Sequence, residues 1–228
     1  MKIYLASGNK NKKREMQELF PEHTIVMPGD EGIDFNPEET GNSFYENSII
    51  KAKALYDIVG CPVLADDSGI CVDALDGAPG IYSSRYAGPD FMRGRPDGAK
   101  ISQADQNRFL IEQLNDAIAG GKNVTPDSKN GLFPNGPRSA RYVCAMVLYM
   151  GPGRIYVSQE TMEGTIIEDP ADQRGENGFG YDPLFFLPQY GKTSAEISPE
   201  EKNAISHRGK AAKIMKTIVK CLWGKNEN

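Results

Sequence analysis

The stretch Val63-Leu64-Ala65-Asp66-Asp67-Ser68-Gly69-Ile70 constrains this chain more than any other. An apolar run that ends in two adjacent carboxylates, a hydroxyl and a glycine reads as a buried strand carrying acids to its exposed end, where α/β folds place their chemistry. Neighbouring carboxylates repel each other and are costly beside apolar surface, so a counter-charge is required, most simply a divalent cation. A solvated turn built from Asp, Ser and Gly is an equally good reading of these residues alone.

A second stretch favours the first reading. Ile3-Tyr4-Leu5-Ala6 has the character of a short strand, and it runs into Ser7-Gly8-Asn9-Lys10-Asn11-Lys12-Lys13-Arg14, which opens an amphipathic helix through Met16, Leu19 and Phe20. Strand, small polar turn and basic helix start together make a phosphate cradle. Gly8 admits a close approach, the first-turn amides are unpaired donors, and Lys12 adds a full charge. The spacing is not that of a Walker A loop. A helix with a solvated basic face would be the ordinary account of the lysines by themselves.

A third stretch runs from Glu38 to Leu55. Ser43 and Glu46 have capping-box spacing, which predicts a helix from there to about Val59 with Gly60 ending it. Glu39 lies in the loop before the cap, where its carboxylate can turn toward Asp66 and Asp67. The purely structural account makes Glu46 a cap partner and pairs Lys51 with Asn47 or solvent.

These pieces, with others further along, resemble the inosine triphosphate pyrophosphatase family, also called Ham1. The matching residues are Ser7-Gly8-Asn9 with Lys12, Glu39-Thr40-Gly41 with Ser43-Phe44 and Glu46-Asn47, and Leu64 to Gly69. They continue with Gly77-Ala78-Pro79-Gly80, Ser84-Arg85-Tyr86, Gly178-Phe179-Gly180-Tyr181-Asp182-Pro183, Glu201-Lys202 and Ser206 to Ala211. The ordered set spans nearly the whole chain and is highly specific.

The resemblance implies an α/β fold: a mixed, twisted sheet flanked by helices, in two lobes with the active site in the cleft between them. It treats residues 1–228 as one domain of this kind, with an insert-like, loop-rich region at about 89–139. The implied activity is hydrolysis of purine nucleoside triphosphates such as ITP, dITP and XTP to the monophosphate and pyrophosphate, which clears them from the nucleotide pool. Asp67 is the implied general base, with Asp66 a second candidate, and Glu39 and Asp67 are the implied ligands of Mg2+, with Mn2+ a possible substitute. A carboxylate on a metal is a poor base, so the two roles of Asp67 conflict. Substrate contacts are implied for Ser7, Gly8, Asn9, Lys12, Lys51, Ser68, Phe179, Gly180, Tyr181, Asp182, Lys202, His207 and Arg208, and the assembly is a homodimer.

The later motifs have roles that suit a purine. Phe179, between Gly178 and Gly180, offers a ring face for stacking, although a lone Phe is more often a core residue. Asp182 accepts from ring N–H or amino groups. His207 and Arg208 present donors, and a donor aimed at purine position 6 suits a keto oxygen and opposes an adenine amino group. A related pyrophosphatase of the Maf type and a non-catalytic nucleotide sensor are the rival readings. The Ser206-His207-Arg208 and Phe179-Gly180-Tyr181-Asp182 motifs oppose the first, and the acids Glu39, Asp66 and Asp67 oppose the second.

Composition fits. The chain has 228 residues, 39% hydrophobic and 25% charged, enough for one sizeable core. Its formal net charge of −5 argues against a protein that coats nucleic acid. Cys61, Cys71, Cys144 and Cys221 form no C-x-x-C pair, and no signal peptide or long apolar span occurs, so a reduced cytoplasmic location without membrane contact is expected. With only His23 and His207 available, oxygen ligands for magnesium or manganese are favoured over a zinc site.

The remaining pattern predicts a strand at His23 to Met27 and a helix at Ala104 to Ala119, followed by a polar connection from Gly120 to Pro137. A hairpin is expected from Ala140 to Glu163 around Gly151-Pro152-Gly153, and a short strand at Leu184 to Leu187. A helix should start at Ser198-Pro199-Glu200-Glu201, and a last one run from Lys210 to Leu222 with Ile214, Ile218 and Leu222 on one face.

Overall fold

The computed structural model describes residues 2–122 and 136–223. The strands are β1 (Lys2–Leu5), β2 (Thr24–Val26), β3 (Val63–Val72), β4 (Ser139–Tyr149), β5 (Ile155–Ile166), β6 (Phe185–Leu187) and β7 (Lys192–Thr193). The helices are α1 (Lys10–Leu19), α2 (Phe44–Val59), α3 (Gln103–Ala119), α4 (Pro199–Ile205) and α5 (His207–Trp223). The strands form one seven-stranded sheet in the order β2-β1-β3-β4-β5-β6-β7. It is mixed: β1 runs parallel to β2 and β3, whereas β6 is antiparallel to β5 and β7.

The chain divides into two compact units, one of Met1–Asp67, Cys144–Thr161 and Asn203–Asn228, the other of Ser68–Val143 and Met162–Lys202. In the first, Ile3, Leu5, Leu64, Cys144, Met146 and Leu148 of the sheet pack on Met16 and Phe20 of α1 and on Ala211, Ala212, Met215 and Val219 of α5. A second cluster places Ala52 and Leu55 of α2 against Val63, Ala65, Val147 and Tyr149. The second unit buries Ile70, Val72, Leu110, Ile111, Leu114 and Phe185, with the Tyr142 and Phe185 rings 4.8 Å apart.

Local signals explain most boundaries. Asn9 caps α1, accepting from the amides of Asn11 (2.9 Å) and Lys12 (3.3 Å). Ser43 caps α2 by accepting from the Glu46 amide, and Gly60 ends that helix at φ 63°. The reciprocal bond to Glu46 comes from Asn42 and not from Ser43. At α4 the box is complete, with Ser198 Oγ accepting from the Glu201 amide and the Glu201 carboxylate accepting from the Ser198 amide. The hairpin turn closes between Met150 and Arg154, with Gly151 and Gly153 at positive φ.

Three expectations need correction. The acids do not sit at an exposed strand end or in a turn: β3 continues through Asp66, Asp67, Ser68 and Gly69 to Val72, and both carboxylates are buried mid-strand. Buried cations, described below, make that tolerable. Second, the apolar stripe of α5 holds only in part: Ile218 and Leu222 pack half-buried against the core, but its centre is Ala211, Ala212, Met215 and Val219, and Ile214 is exposed. The helix starts three residues before the expected Lys210, and its small residues let it lie close to the sheet. Third, β7 has only two residues and carried no pattern to find. Most of the connection expected from Gly120 to Pro137 lies outside the described residues.

Gly209, in the first turn of α5, tests this close packing. Alanine favours a helix over glycine by about 1 kcal/mol, yet a Cβ there would lie 1.9 Å from the Asn203 carbonyl oxygen. The collision is with backbone and should win. Gly209→Ala is expected to destabilise the protein by roughly 1–3 kcal/mol, measured by urea unfolding.

Candidate active site

The two carboxylates of β3 are held by different partners. Asp66, fully buried, has Lys12 Nζ at 3.1 Å and Arg208 Nε at 3.1 Å, both on Oδ2. The Cys144 thiol lies 4.0 Å from the same oxygen, and Lys12 Nζ also reaches the Asp66 carbonyl at 3.2 Å. Glu15 of α1 takes the Nη1 end of Arg208, which is itself buried. Burial works to raise the Asp66 carboxyl, but the charges of Lys12, Arg208 and Lys51 outweigh it and hold the group well below the usual carboxylate range. Asp66 is therefore a fixed anion.

Asp67 faces α2. Its Oδ1 accepts from Lys51 Nζ at 3.0 Å and its Oδ2 from Asn47 Nδ2 at 3.3 Å. Lys51 also pairs with Glu39 at 2.8 Å, so the loop carboxylate and Asp67 converge on one ammonium. The Asn47 side-chain oxygen accepts from the Gly41 amide at 2.9 Å, which fixes the loop carrying Glu39. Burial raises the Asp67 carboxyl, Lys51 and Lys12 lower it, Glu39 raises it further, and the net direction is up. Lys51 remains charged: its burial is outweighed by Asp67, Glu39 and Asp66. Two adjacent acids are thus pushed in opposite directions, the usual mark of carboxylates with different jobs.

The turn before α1 differs from expectation in one respect. The Asn11 and Lys12 amides are taken by the Asn9 side chain, and Ser7 Oγ accepts from the Asn9 amide at 3.1 Å, so the first turn does not present a row of unpaired donors. What the turn offers is room. A side chain built at Gly8 would meet nothing within 4 Å.

The second unit carries the remaining candidates. Asp182 Oδ2 accepts from Lys202 Nζ at 2.6 Å and from the Phe179 amide at 2.8 Å. The Phe179 ring is half-buried, with Lys202 Nζ 5.6 Å from its centroid. A side chain at Gly178, where φ is 80°, would be strained, and its Cβ, 2.2 Å from Asp182 Oδ2 and 2.8 Å from Lys202 Nζ, would push that pair aside. Tyr181 is buried and donates its hydroxyl to the Ser83 carbonyl at 2.9 Å. Gly180 sits at φ 68°, and Ser68 is half-buried on β3. His207, buried, opens α5 in the first unit.

Sequence reasoning missed Glu15 and Cys144, and left Asn47 as a structural partner of Lys51. Two of these had a signal. Glu15 follows Lys12 by three positions on α1, and Asn47 precedes Lys51 by four on α2, so each shares a helix face with a named lysine. Cys144 had none, since its place beside Asp66 comes from strand pairing between distant segments.

The paired arrangement around Arg208 predicts a stability effect. Arg208→Ala removes one of the two cations on the buried Asp66 and leaves Glu15 without its arginine, and loss of one partner from such a network costs about 3–5 kcal/mol. Equilibrium unfolding in urea measures it, and a loss below about 1 kcal/mol would mean the network contributes no more than surface pairs do.

Comparison with known proteins places these features in a family. The profile described as the Ham1 family matches residues 3–218. A Treponema denticola protein named dITP/XTP pyrophosphatase is 52% identical over 221 residues, covering 96% of this chain and 99% of that one. An Escherichia coli K12 protein of the same name is 39% identical over 220 residues, covering 94% and 95%. The solved structure of a Ham1 protein from Coxiella burnetii superposes with a TM-score of 0.76 at 36% identity, covering 96% of this chain and 98% of that chain. That of the Staphylococcus aureus Ham1 protein gives 0.74 at 32% identity, covering 97% and 100%. On a match spanning nearly its full length, and on relatives aligned end to end, this chain belongs to the Ham1 family.

Proposed function

We propose that the protein is a nucleoside-triphosphate pyrophosphatase that hydrolyses non-standard purine nucleotides, ITP, dITP and XTP, to the monophosphate and pyrophosphate. The observation that carries this reading is the buried acid pair of β3, with one carboxylate fixed as an anion by Lys12 and Arg208 and the other raised beside Lys51 and Glu39. The relatives named dITP/XTP pyrophosphatase supply the substrate class.

In the proposed reaction, the oxygen of water bonds to the α-phosphorus, the bond from that phosphorus to the α–β bridging oxygen breaks, and pyrophosphate leaves. Lys12 and Lys51 bind phosphate oxygens and offset the charge that builds on them. Asp67 accepts the proton of the attacking water, a role its raised pKa suits; Asp66 is held too low to be an effective base. Ser7, Gly8 and Asn9 line the approach of the triphosphate, and Ser68 contributes a hydroxyl. Phe179 stacks on the base, Asp182 accepts from it while Lys202 and the Phe179 amide hold that carboxylate in place, and Gly180 and Tyr181 shape the turn that carries them. His207 donates toward the 6-keto oxygen. Arg208 was expected to share that role, but its Nε and Nη1 rest on Asp66 and Glu15, which shifts the weight of base reading to His207.

Glu39 and Asp67 fit a magnesium ion, with manganese as substitute. They are hard oxygen donors converging on one cationic position, and magnesium is commonly held by one or two carboxylates together with substrate phosphates. Among the described residues no three His, Cys, Asp or Glu side chains gather into a metal cluster. When bound, the ion would supply charge neutralisation at the phosphates. The reading further includes a homodimer acting in the cytoplasm. Among the described residues no helix is long and apolar enough to cross a membrane, and all four cysteines are free thiols.

A panel of nucleotides assayed for pyrophosphate release, with and without EDTA, tests the proposal. Release from ITP and XTP well above that from ATP, abolished by EDTA, is expected. Asp67→Asn should abolish turnover in a folded protein. Absence of pyrophosphate from every nucleotide would overturn the assignment.

Lys12→Ala separates phosphate binding from base binding. Its contact is blind to the base, so KM should rise by a similar factor for every nucleotide. A rise confined to one base would remove Lys12 from the phosphate site.

A further inference from the structure

We infer that Ser83 is a positioning residue for the acid-bearing strand, and that it ties the turn carrying Phe179 and Asp182 to that strand. The inference deepens the hydrolytic reading above and rests on it. Among the described residues β1 pairs with β3 at Val63 and Leu64, so from Asp66 onward β3 needs another neighbour on that side. Further along, a returning segment supplies it: Val72 donates its amide to the Ala78 carbonyl, and Cys71 bridges to Pro79. At Ile70 the segment has already turned away into the helical turn Gly80–Tyr82. No main-chain carbonyl of that segment takes the fully buried Ile70 amide, and the Ser83 hydroxyl takes it at 2.9 Å. The same hydroxyl donates to the Gly80 carbonyl at 2.6 Å. A side chain thus completes the ladder where the backbone cannot.

The approach is close enough to dictate the next residue. A Cβ at Gly69 would lie 2.4 Å from both the Gly80 carbonyl oxygen and Ser83 Oγ, so the glycine of the Asp-Asp-Ser-Gly motif is there to let this turn dock. Gly69 directly follows Ser68, and any slack in the clamp moves the backbone that carries Ser68 and, one residue earlier, Asp67. On its other side the Ser83 carbonyl accepts from the Tyr181 hydroxyl at 2.9 Å. Tyr181 stands between Phe179-Gly180 and Asp182, the group assigned to the base. One residue therefore holds the acid strand through its side chain and the base-reading turn through its backbone.

The test compares Ser83→Ala, Ser83→Thr and Tyr181→Phe in the full chain. Hydrogen exchange at the Ile70 amide reads the clamp without any nucleotide. It should quicken by about tenfold or more in Ser83→Ala and stay near the parent rate in Ser83→Thr, which keeps the hydroxyl. Steady-state kinetics with ITP read the consequence. Ser83→Ala should lose about tenfold or more in kcat with KM within about threefold, and Ser83→Thr should recover most of it. Tyr181→Phe should lower kcat/KM for ITP, and its effect should combine with that of Ser83→Ala less than additively, because the two changes loosen one joint. An unchanged kcat in Ser83→Ala, equal losses in the alanine and threonine variants, or strictly additive losses with Tyr181→Phe would overturn the inference. If Ser83→Ala does not fold, parent-like Ile70 exchange and kcat in Ser83→Thr support it, and a loss of both overturns it. A parent protein that releases no pyrophosphate would sink the function, whereas the Ile70 exchange result would still decide whether the clamp exists.

Discussion

A carboxylate with no exposed surface, Asp66 in the middle of β3, sets the terms for the rest of the first unit. An unpaired charge in such a place would be prohibitively unstable. The countercharges come from elements far apart in the chain: Lys12 from α1 and Arg208 from α5, with Lys51 of α2 adding to the field. Helices on the sheet are therefore held there by polar requirement as well as by the packing of Met16, Met215 and Leu64. Arg208 in turn needs Glu15, so α1 contributes an acid and a base to the same network.

This arrangement also separates the roles of two residues that are neighbours in sequence. Successive side chains of a strand point to opposite faces. Asp66 and Asp67 accordingly meet different helices, and identical carboxyl groups acquire opposite pKa directions. The strand position does what sequence chemistry could not, since nothing in the dipeptide Asp-Asp distinguishes the first acid from the second. Because Asp66 is committed to Lys12 and Arg208, both roles proposed for this acid pair, ligand and base, fall on Asp67.

Glycine plays a corresponding part in the second unit. Gly178 leaves space for the Asp182–Lys202 pair, and Gly69 admits the Gly80–Ser83 turn; in both cases a Cβ would collide with a hydrogen-bonded polar atom. These are sites where close approach, and not turn geometry alone, selects the residue. The Phe179 amide bond to Asp182 and the Tyr181 bond to Ser83 then lock a segment whose glycines would otherwise leave it loose.

Much of this was legible before any coordinates. The starts of α2 and α4 were written in Ser43 and Ser198, whose caps act over three residues, and the β4–β5 turn in Gly151 and Gly153. Motif order alone pointed to the family. What only the tertiary structure decided were the facts that depend on long-range pairing. These are the burial of Asp66 and Asp67 inside a continuous strand, the capture of Arg208 by Asp66 and Glu15, the place of Cys144, and the face on which α5 packs. Local propensity reaches a few residues along the chain, whereas the charge balance of a buried carboxylate is settled by groups some 54 and 142 positions away.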